Sequence, residues 1–206
     1  MLRAALLLAL FYGVATWAMR STVIDPETGL ETDEESEPFD PLALIDFGVL
    51  DVNDLGNPYV QAFLATIRFG EGTAGAEGYR TMFGGGLFDS FEDHPRTVIC
   101  RTVGGRRLCS SAAGAYQFLR DTWDRVAGKL NLPDFSPQCQ DIAALELIRE
   151  KGALDDVKAG RFEVAVQKCR KVWASMPGAG YGQPEIAMQR YRAYYASRLQ
   201  GAGVYA

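Results

Sequence analysis

Glu71 is the residue in this 206-residue chain whose type and neighbours best fit proton-transfer chemistry. It lies between Gly70 and Gly72, where the lack of side chains lets backbone and substrate approach closely. It also follows an apolar segment, and a carboxyl group held against apolar side chains acquires the raised pKa that a general acid needs near neutral pH. Taken alone, the same pattern also fits a glutamate that is simply solvated at the end of a helix.

Other catalytic chemistries find little support in the sequence. Any hydrolase with a Ser-His-Asp or Cys-His arrangement would have to use His94, the one histidine. No two cysteines have the C-x-x-C spacing of a zinc site, and neither glycine-rich nucleotide motif occurs, so we expect no metal and no cofactor. The basic residues are scattered apart from Arg101, Arg106 and Arg107, so we also expect no nucleic-acid partner.

The segment before Glu71 is predicted to be a helix. Asn57 is a good N-cap and Pro58 a good first residue, and Gly70 is expected to end the helix. Helical spacing places four apolar residues on the buried face: Val60, Phe63, Leu64 and Ile67. Glu71 is therefore expected to come directly after the helix, against its apolar end.

Four more helices are predicted downstream of a glycine-rich region of loops and short strands at residues 72–112. They cover the following stretches: 115–130, 137–152, 161–173 and a final one that begins at Pro184. One face of the first stretch carries Leu119, Trp123, Val126 and Leu130. We therefore predict an α+β domain at residues 58–206, mostly helical, with a small β-hairpin lobe segregated to one side.

The glycine-rich region contains a cysteine pair that is symmetrical about Gly104-Gly105. A two-residue turn there pairs Val103 with Arg106, and it therefore pairs Cys100 with Cys109. The alternation along the strands makes this a non-hydrogen-bonded pair, in which side chains lie closer together. That spacing is compatible with a disulfide bond. The other two cysteines fall on predicted helices and are expected to be core thiols: Cys139 and Cys169.

Residues 1–20 precede the predicted domain and resemble a signal peptide or signal-anchor. Arg3 is followed by an uncharged apolar run of 16 residues, which is shorter than the ~20 residues that span a bilayer. We expect this segment to bring the chain to the inner membrane, in transient or stable association. The sequence leaves open whether the segment is cleaved.

Residues 21–57 are predicted to form an acidic linker that is partly disordered, because they contain eleven acidic residues, three prolines and no Lys or Arg. The more apolar stretch at residues 41–55 is expected to dock on the domain or on a partner in the membrane or the virion. Residues 58–206 contain 19 basic and 15 acidic residues. This net positive charge suits an anionic polymer such as a cell wall.

Residues 58–200 resemble the phage lambda lysozyme family in a series of motifs that occur in the family's order. These are Phe63-Leu64 with Glu71-Gly72-Thr73, Gly85-Gly86-Leu87-Phe88, Asp93-His94-Pro95-Arg96, Ala113-Gly114-Ala115-Tyr116-Gln117, Asp134-Phe135-Ser136-Pro137, Lys151-Gly152-Ala153-Leu154 and the run from Trp173 to Gln183. The last run is long and unusual, which makes the resemblance specific. The resemblance does not cover residues 1–57, and the segment from Arg96 to Ser110 is longer than in the family.

The resemblance implies a lysozyme-like fold with a cleft between two lobes, and it places the family's catalytic acid on Glu71. The implied reaction cleaves the β-1,4 bond between N-acetylmuramic acid and N-acetylglucosamine in the glycan strands of peptidoglycan. It uses no water and leaves a 1,6-anhydro end. The residues implied in substrate binding are Tyr116, Gln117, Tyr181, Gln183 and Asp93.

Several of these assignments have a structural alternative. Tyr116 fits core packing, but Gly114 before it and Gln117 after it favour a cleft wall. Tyr181 lies among glycines with few core neighbours, which favours stacking on a sugar. For Asp93 we favour an Asp-His-Pro-Arg turn that fixes the loop over the cleft, with His94 as a hydrogen-bonding loop residue. Three carboxylates stay candidates for a second acid: Asp89, Glu92 and Asp93.

One carboxyl group is enough for the implied reaction, although ordinary glycosidases need two. A lytic transglycosylase protonates the glycosidic oxygen from one carboxyl group, which then accepts the proton of the C6 hydroxyl as that oxygen closes on C1. Two alternatives stay open: a water-using lysozyme hydrolase, and a non-catalytic wall-binding or virion structural protein with the same fold. We expect action in phage lysis or wall penetration, in the host periplasm or at the inner membrane, with a virion location as a further option.

Overall fold

The computed structural model describes residues 22–24, 31–33, 51–103, 105–180 and 186–203. The chain divides into two compact units, Met1–Ile45 and Asp46–Ala206. In the first unit, strand β1 (Thr22–Ile24) pairs antiparallel with strand β2 (Glu31–Asp33), within the segment predicted to be a partly disordered linker. The predicted signal segment at residues 1–20 lies outside the described residues. Within the ranges given above, no helix is both long and apolar enough to cross a bilayer.

The second unit is mostly helical, with one small antiparallel hairpin, as far as the described residues go. Its elements are, in order, a 3-10 helix at Val52–Gly56, α1 (Pro58–Glu71), a 3-10 turn at Gly78–Arg80, β3 (Ile99–Val103), β4 (Arg106–Ser110), α2 (Arg120–Leu130), α3 (Pro137–Glu150), α4 (Leu154–Lys158), α5 (Phe162–Cys169) and α6 (Met188–Gly201). The predicted α+β class is confirmed.

Helix α1 begins where the sequence predicts and ends two residues later than predicted. The side chain of Asn57 accepts hydrogen bonds from the backbone N–H groups of Tyr59 and Val60, and Pro58 occupies the first turn. The helix does not stop at Gly70, however. It continues through Glu71 and ends at Gly72, which adopts the left-handed conformation (φ 74°) that favours glycine at this position.

Gly70 serves close packing instead of helix termination. A methyl group at its Cα would lie 2.8 Å from the Ser175 Oγ atom and 3.2 Å from a ring carbon of Tyr191 in α6. One residue earlier in α1, the ring of Phe69 stacks on that of Tyr194, which is also in α6, with ring centroids 4.2 Å apart. The missing side chain therefore lets α6 and the loop before it approach the last turn of α1.

The core of the second unit is built around α3 and an aromatic cluster. Inward-facing residues of α3 have no exposed surface, and they include Ile142, Leu145 and Ile148. Phe135, directly before α3, packs its ring edge-on against Trp123 at 4.6 Å and against His94 at 5.0 Å. Aromatic pairs at these distances and angles add stabilisation beyond their buried area. The cluster therefore joins α2, α3 and the loop that contains His94.

Helix α2 starts five residues later than predicted. Residues Ala113 and Phe118 exchange two backbone hydrogen bonds, which close a tight turn and keep residues 114–118 out of the helix. Leu119 therefore lies before the first turn and is 51% exposed, so the prediction that it packs in the core is wrong. The remaining three residues of the predicted face are buried: Trp123, Val126 and Leu130.

The other helix boundaries follow the prediction in part. The Ser136 side chain caps α3 as expected, and the chain turns after Glu150 at Gly152. Helix α4 was not predicted, since it has five residues and no helical repeat. Helix α5 ends at Cys169, short of residue 173, and α6 begins at Met188, four residues after the predicted start.

The hairpin has the predicted register. Val103 pairs with Arg106 and Cys100 with Cys109, and the two cysteines form a disulfide bond with their Cα atoms 4.0 Å apart. The other two cysteines are free and buried, as core thiols should be. Burial raises the pKa of the Cys139 thiol to about 11 and that of the Cys169 thiol to about 12, so neither is a reactive thiolate near neutral pH.

The close approach at Gly70 predicts opposite effects for two glycine-to-alanine changes. Gly128, in α2, is exposed and has no atom near its Cα, so Gly128→Ala should raise the free energy of unfolding by about 0.5–1 kcal/mol. Gly70→Ala should lower it by about 1–3 kcal/mol, because the methyl group overpacks the contact with Ser175 and Tyr191. Equilibrium unfolding in denaturant measures both. Equal stabilisation by the two changes would contradict this packing.

Candidate active site

The candidate site is centred on the carboxyl group of Glu71, at the last residue of α1. The side chain is half-buried, and its Oε1 atom accepts a hydrogen bond of 2.5 Å from the Ser175 hydroxyl. Burial raises the pKa of Glu71 above its usual range, and hydrogen bonds from the Ser175 hydroxyl and backbone oppose the rise without cancelling it. A carboxyl group in this state stays protonated at a higher pH than a solvated glutamate.

Ser175 is held by the turns between α5 and α6. The backbone N–H of Met176 donates to the Trp173 carbonyl, and that of Ile186 donates to the Ser175 carbonyl at 3.0 Å. The Trp173 indole N–H donates to the Tyr116 carbonyl at 3.1 Å, and Met176 is fully buried. Because Trp173, two residues before Ser175, and Met176, directly after it, are thus anchored, the Ser175 hydroxyl is presented to Glu71 by a fixed backbone.

The chain that leaves Glu71 is also tied down. The Thr73 hydroxyl donates to the Ala115 carbonyl at 2.5 Å, and the Thr73 backbone N–H donates to the Arg68 carbonyl at 2.9 Å. Gly78 packs so closely on the Thr73 carbonyl that any side chain there would overlap it. Glu71 is therefore fixed from both sides along the backbone.

A buried hydroxyl without a partner lies close to this site. Tyr191 of α6 has no exposed surface, and its Oη atom has no hydrogen-bond partner. Leaving a buried donor unpaired costs about 1–3 kcal/mol. Burial raises the pKa of Tyr191 well above its usual range, and the negative charge of Glu71 adds to the rise.

Tyr116 is buried, and it also borders a groove on the surface of the second unit. Its side chain is 1% exposed, and its hydroxyl donates to the Asp141 carboxylate at 2.6 Å. The Tyr79 hydroxyl donates to the same oxygen at 2.8 Å and accepts from the Arg68 guanidinium at 2.7 Å. The side chain and hydroxyl of Tyr116 are therefore engaged by the protein, and its assignment to substrate binding stays a prediction.

The carboxyl of Asp141 is a half-buried acid, like that of Glu71, that the sequence did not reveal. Burial raises its pKa, although the two tyrosine hydroxyls and the Arg68 charge oppose the rise. Asp141 and Arg68 line a groove of about 710 Å³, together with residues of α1 and the end of α6. Asp141 is separated from its tyrosine partners by 25 and 62 positions, so no local pattern could identify it.

Gln117 holds the backbone of the turn in which it lies. Its side-chain amide donates to the carbonyls of Thr81 and Gly114, both at 3.0 Å. Its own φ of 49° is a left-handed conformation, which few residues other than glycine adopt. Because both amide protons are used by the protein, the prediction that Gln117 binds substrate finds no support in this arrangement.

Asp93 and His94 form the turn that the sequence favours for them. Asp93 accepts from the His94 backbone N–H at 2.7 Å and pairs with Arg96, which also pairs with Asp124 at 2.8 Å. His94 is buried, with its Nε2–H donating to the Phe118 carbonyl and its Nδ1 accepting from the Arg96 backbone N–H. Burial lowers the pKa of His94, so it is a neutral structural residue and not a base.

The structure brings none of the three candidate second acids into a described contact with Glu71. Asp93 is paired with Arg96, Asp89 is exposed and paired with Arg80 at 3.3 Å, and Glu92 is exposed. The two remaining predicted substrate residues, Tyr181 and Gln183, lie outside the described residues.

Comparisons of the sequence with known proteins agree on one protein family. A family model described as Endolysin matches residues 61–202. The endolysin of Escherichia phage P2 is 41% identical over 143 residues, which are 64% of this chain and 87% of that protein. The endolysin of Escherichia phage lambda is 41% identical over 131 residues, which are 61% of this chain and 81% of that protein.

Two solved structures have the same fold. The chain is similar to bacteriophage lambda lysozyme complexed with a chitohexasaccharide, with a TM-score of 0.64, 37% identity, and coverage of 69% of this chain and 94% of that one. It is also similar to lysozyme from bacteriophage lambda, with a TM-score of 0.60, 36% identity, and coverage of 72% and 96%. The lysozyme-like fold is confirmed, and the chain belongs to the endolysin family, phage enzymes that degrade peptidoglycan.

Proposed function

We propose that this chain is a lytic transglycosylase in which Glu71 is the single general acid and base. It cleaves the β-1,4 bond between N-acetylmuramic acid and N-acetylglucosamine and leaves a 1,6-anhydro end. The observation that carries the proposal is the Glu71 carboxyl group itself, half-buried, raised in pKa and held by one neutral donor, Ser175. Asp141 is engaged by tyrosines, Asp89 and Asp93 are paired with arginines, and Glu92 is exposed and has no described contact with Glu71.

The proposed reaction uses each oxygen of Glu71 differently. Ser175 holds Oε1, so the acidic proton on the other oxygen is free to pass to the glycosidic oxygen. The C1–O bond then breaks, with its electron pair leaving on the protonated oxygen. The C6 hydroxyl oxygen of the same sugar attacks C1, and its proton goes to the Glu71 carboxylate, which restores the acid. No water is consumed, and the carboxyl group ends in its starting state.

A glycan strand is the substrate that best fits the comparisons and the charge. The similar lambda lysozyme structure is described as a complex with a chitohexasaccharide. The excess of basic over acidic residues in residues 58–206 favours approach to an anionic wall polymer.

The masses of the reaction products test the proposed chemistry. Purified peptidoglycan digested by the full chain should yield muropeptides that are lighter than hydrolysis products by one water molecule, because the ring closes on itself. Mass spectrometry measures the difference. Products that carry the extra water would identify a hydrolase, and a lack of any digestion would favour the non-catalytic alternative.

Glu71→Gln should reduce the rate of the same digestion by about 10²–10⁴-fold, the contribution typical of general acid–base catalysis. Glu77→Gln is the matched control, since Glu77 is exposed six residues later and makes only a surface ion pair with Arg80. Its activity should equal that of the parent. Full activity of the Glu71→Gln variant would exclude the proposed acid.

Ser175→Ala should shift the high-pH limb of the pH profile of kcat/KM to higher pH. The hydroxyl stabilises the ionised form of Glu71 and so lowers its pKa, and its removal therefore raises that pKa. Below the limb, kcat should fall by about three- to tenfold, because Oε1 is no longer held. Ser197→Ala is the control, since that hydroxyl donates to the Tyr194 carbonyl on α6. A limb that stays in place or moves downward would refute the assigned role of Ser175.

We also propose that residues 1–20 bring the enzyme to the host periplasm, either by export or by anchoring at the inner membrane. The support is the charge at Arg3 and the apolar run that follows it. Expression of the full chain in a bacterial host without any pore-forming partner should cause lysis. The same chain without residues 1–20 should not, and continued lysis by the shortened chain would remove the case for this segment.

A further inference from the structure

Tyr191 carries a hydroxyl group that the fold of the protein does not use. Within the described residues, it is one of two buried side-chain atoms without a hydrogen-bond partner, the other being Nε of Arg68. The Tyr191 ring packs among aromatic side chains, 5.9 Å from the ring of Phe162. Phenylalanine would fill the same space without leaving an unpaired donor. Packing therefore does not explain why this position has a hydroxyl group.

The hydroxyl lies at the last turn of α1, directly before Glu71. It is 3.6 Å from the point where a side chain of Gly70 would begin, and the Ser175 Oγ atom is 2.8 Å from the same point. Two hydroxyl groups therefore reach one spot on α1 through the gap that Gly70 leaves. One of them, from Ser175, already donates to Glu71 Oε1, and the other has nothing to donate to.

The groups around Tyr191 keep its hydroxyl protonated, so that it is always available as a donor. The titratable groups that influence it are Glu71 on α1 and Cys169 on α5. Burial raises the pKa of the Cys169 thiol to about 12, so the thiol stays neutral near pH 7, and Glu71 is the one of these two groups whose charge can act on the hydroxyl. The proton of a tyrosine hydroxyl also rotates freely about the Cζ–O bond to face a new acceptor.

We propose that Tyr191 is a positioning residue for Glu71, which donates a second hydrogen bond to the carboxylate once Glu71 has given up its proton. This inference rests on the proposed role of Glu71 as the acid. In the resting enzyme Glu71 is protonated and Ser175 satisfies Oε1, so Tyr191 is unpaired. After proton transfer the carboxylate is charged, and a rotation of its side chain brings it to the unpaired hydroxyl.

This arrangement favours the charged form of Glu71 selectively. A donor that is unpaired before proton transfer and paired after it stabilises the later state alone, which is the requirement for an interaction that accelerates the step. Tyr191 is fully buried, so it acts only through Glu71 and does not contact the substrate. Gly70 is required for the same reason, because any side chain there would separate both hydroxyls from α1.

Tyr191→Phe tests the inference, with Tyr195→Phe as the matched control. Tyr195 lies one turn further along α6 and stacks on Phe162 at 4.4 Å. With soluble glycan strands as substrate, Tyr191→Phe should lower kcat about tenfold, leave KM unchanged and move the high-pH limb up by about one pH unit. The control variant should match the parent in all three. An unchanged kcat and an unmoved limb in Tyr191→Phe would overturn the inference.

Thermal unfolding gives a readout that does not depend on activity. Below the pKa of Glu71 the hydroxyl is unpaired, so Tyr191→Phe should melt no lower than the parent. Above that pKa the hydroxyl binds the carboxylate, so the variant should melt several degrees lower. The same difference at both pH values would show a purely structural hydroxyl and overturn the inference. If Glu71→Gln proved fully active, the proposed function would fail, yet this comparison would still show whether Tyr191 responds to the charge of Glu71.

Discussion

The site depends on a carboxyl group that lies where a negative charge is unfavourable. Glu71 is the last residue of α1, and the C-terminal end of a helix carries a partial negative charge from its unpaired carbonyl groups. Burial beside the loop of Ser175 removes much of the water that would otherwise solvate the carboxylate. Both effects favour the protonated form. The same location that would be poor for a structural glutamate is therefore suitable for an acid that must keep its proton near neutral pH.

The rest of the second unit holds this unfavourable location in place. Gly70 lets α6 approach, and Gly72 turns the chain away so that the carboxyl group is not carried into another helical turn. Thr73 ties the outgoing chain to Ala115, while the Trp173 indole ties the Ser175 loop to Tyr116. Residues 115 and 116 thus anchor both segments that flank the acid. Tyr116 contributes to the site in this way, through its backbone and its buried ring.

Local signals in the sequence were sufficient for part of the fold. The Asn57-Pro58 start of α1, the Ser136 cap of α3 and the register of the cysteine hairpin all depend on neighbours within a few positions. The end of α1 was misplaced because two glycines two residues apart both fit a helix end, and only contacts with α6 separate their roles. Contacts between residues far apart in the sequence could not be predicted from local patterns. Ser175 is 104 positions from Glu71, and nothing near either residue indicates the hydrogen bond between them.

The protonation state of Glu71 is the central claim, and it can be measured directly. Titration of the side-chain carboxyl carbon by NMR, in protein labelled with ¹³C-glutamate and assigned by comparison with the Glu71→Gln variant, gives the midpoint of this one group. We predict a midpoint above 4.5, the ordinary value for glutamate, because burial opposes ionisation. A midpoint at or below 4.5 would show that the carboxyl group is solvated or stabilised as an anion, and Glu71 would then not be an acid that keeps its proton.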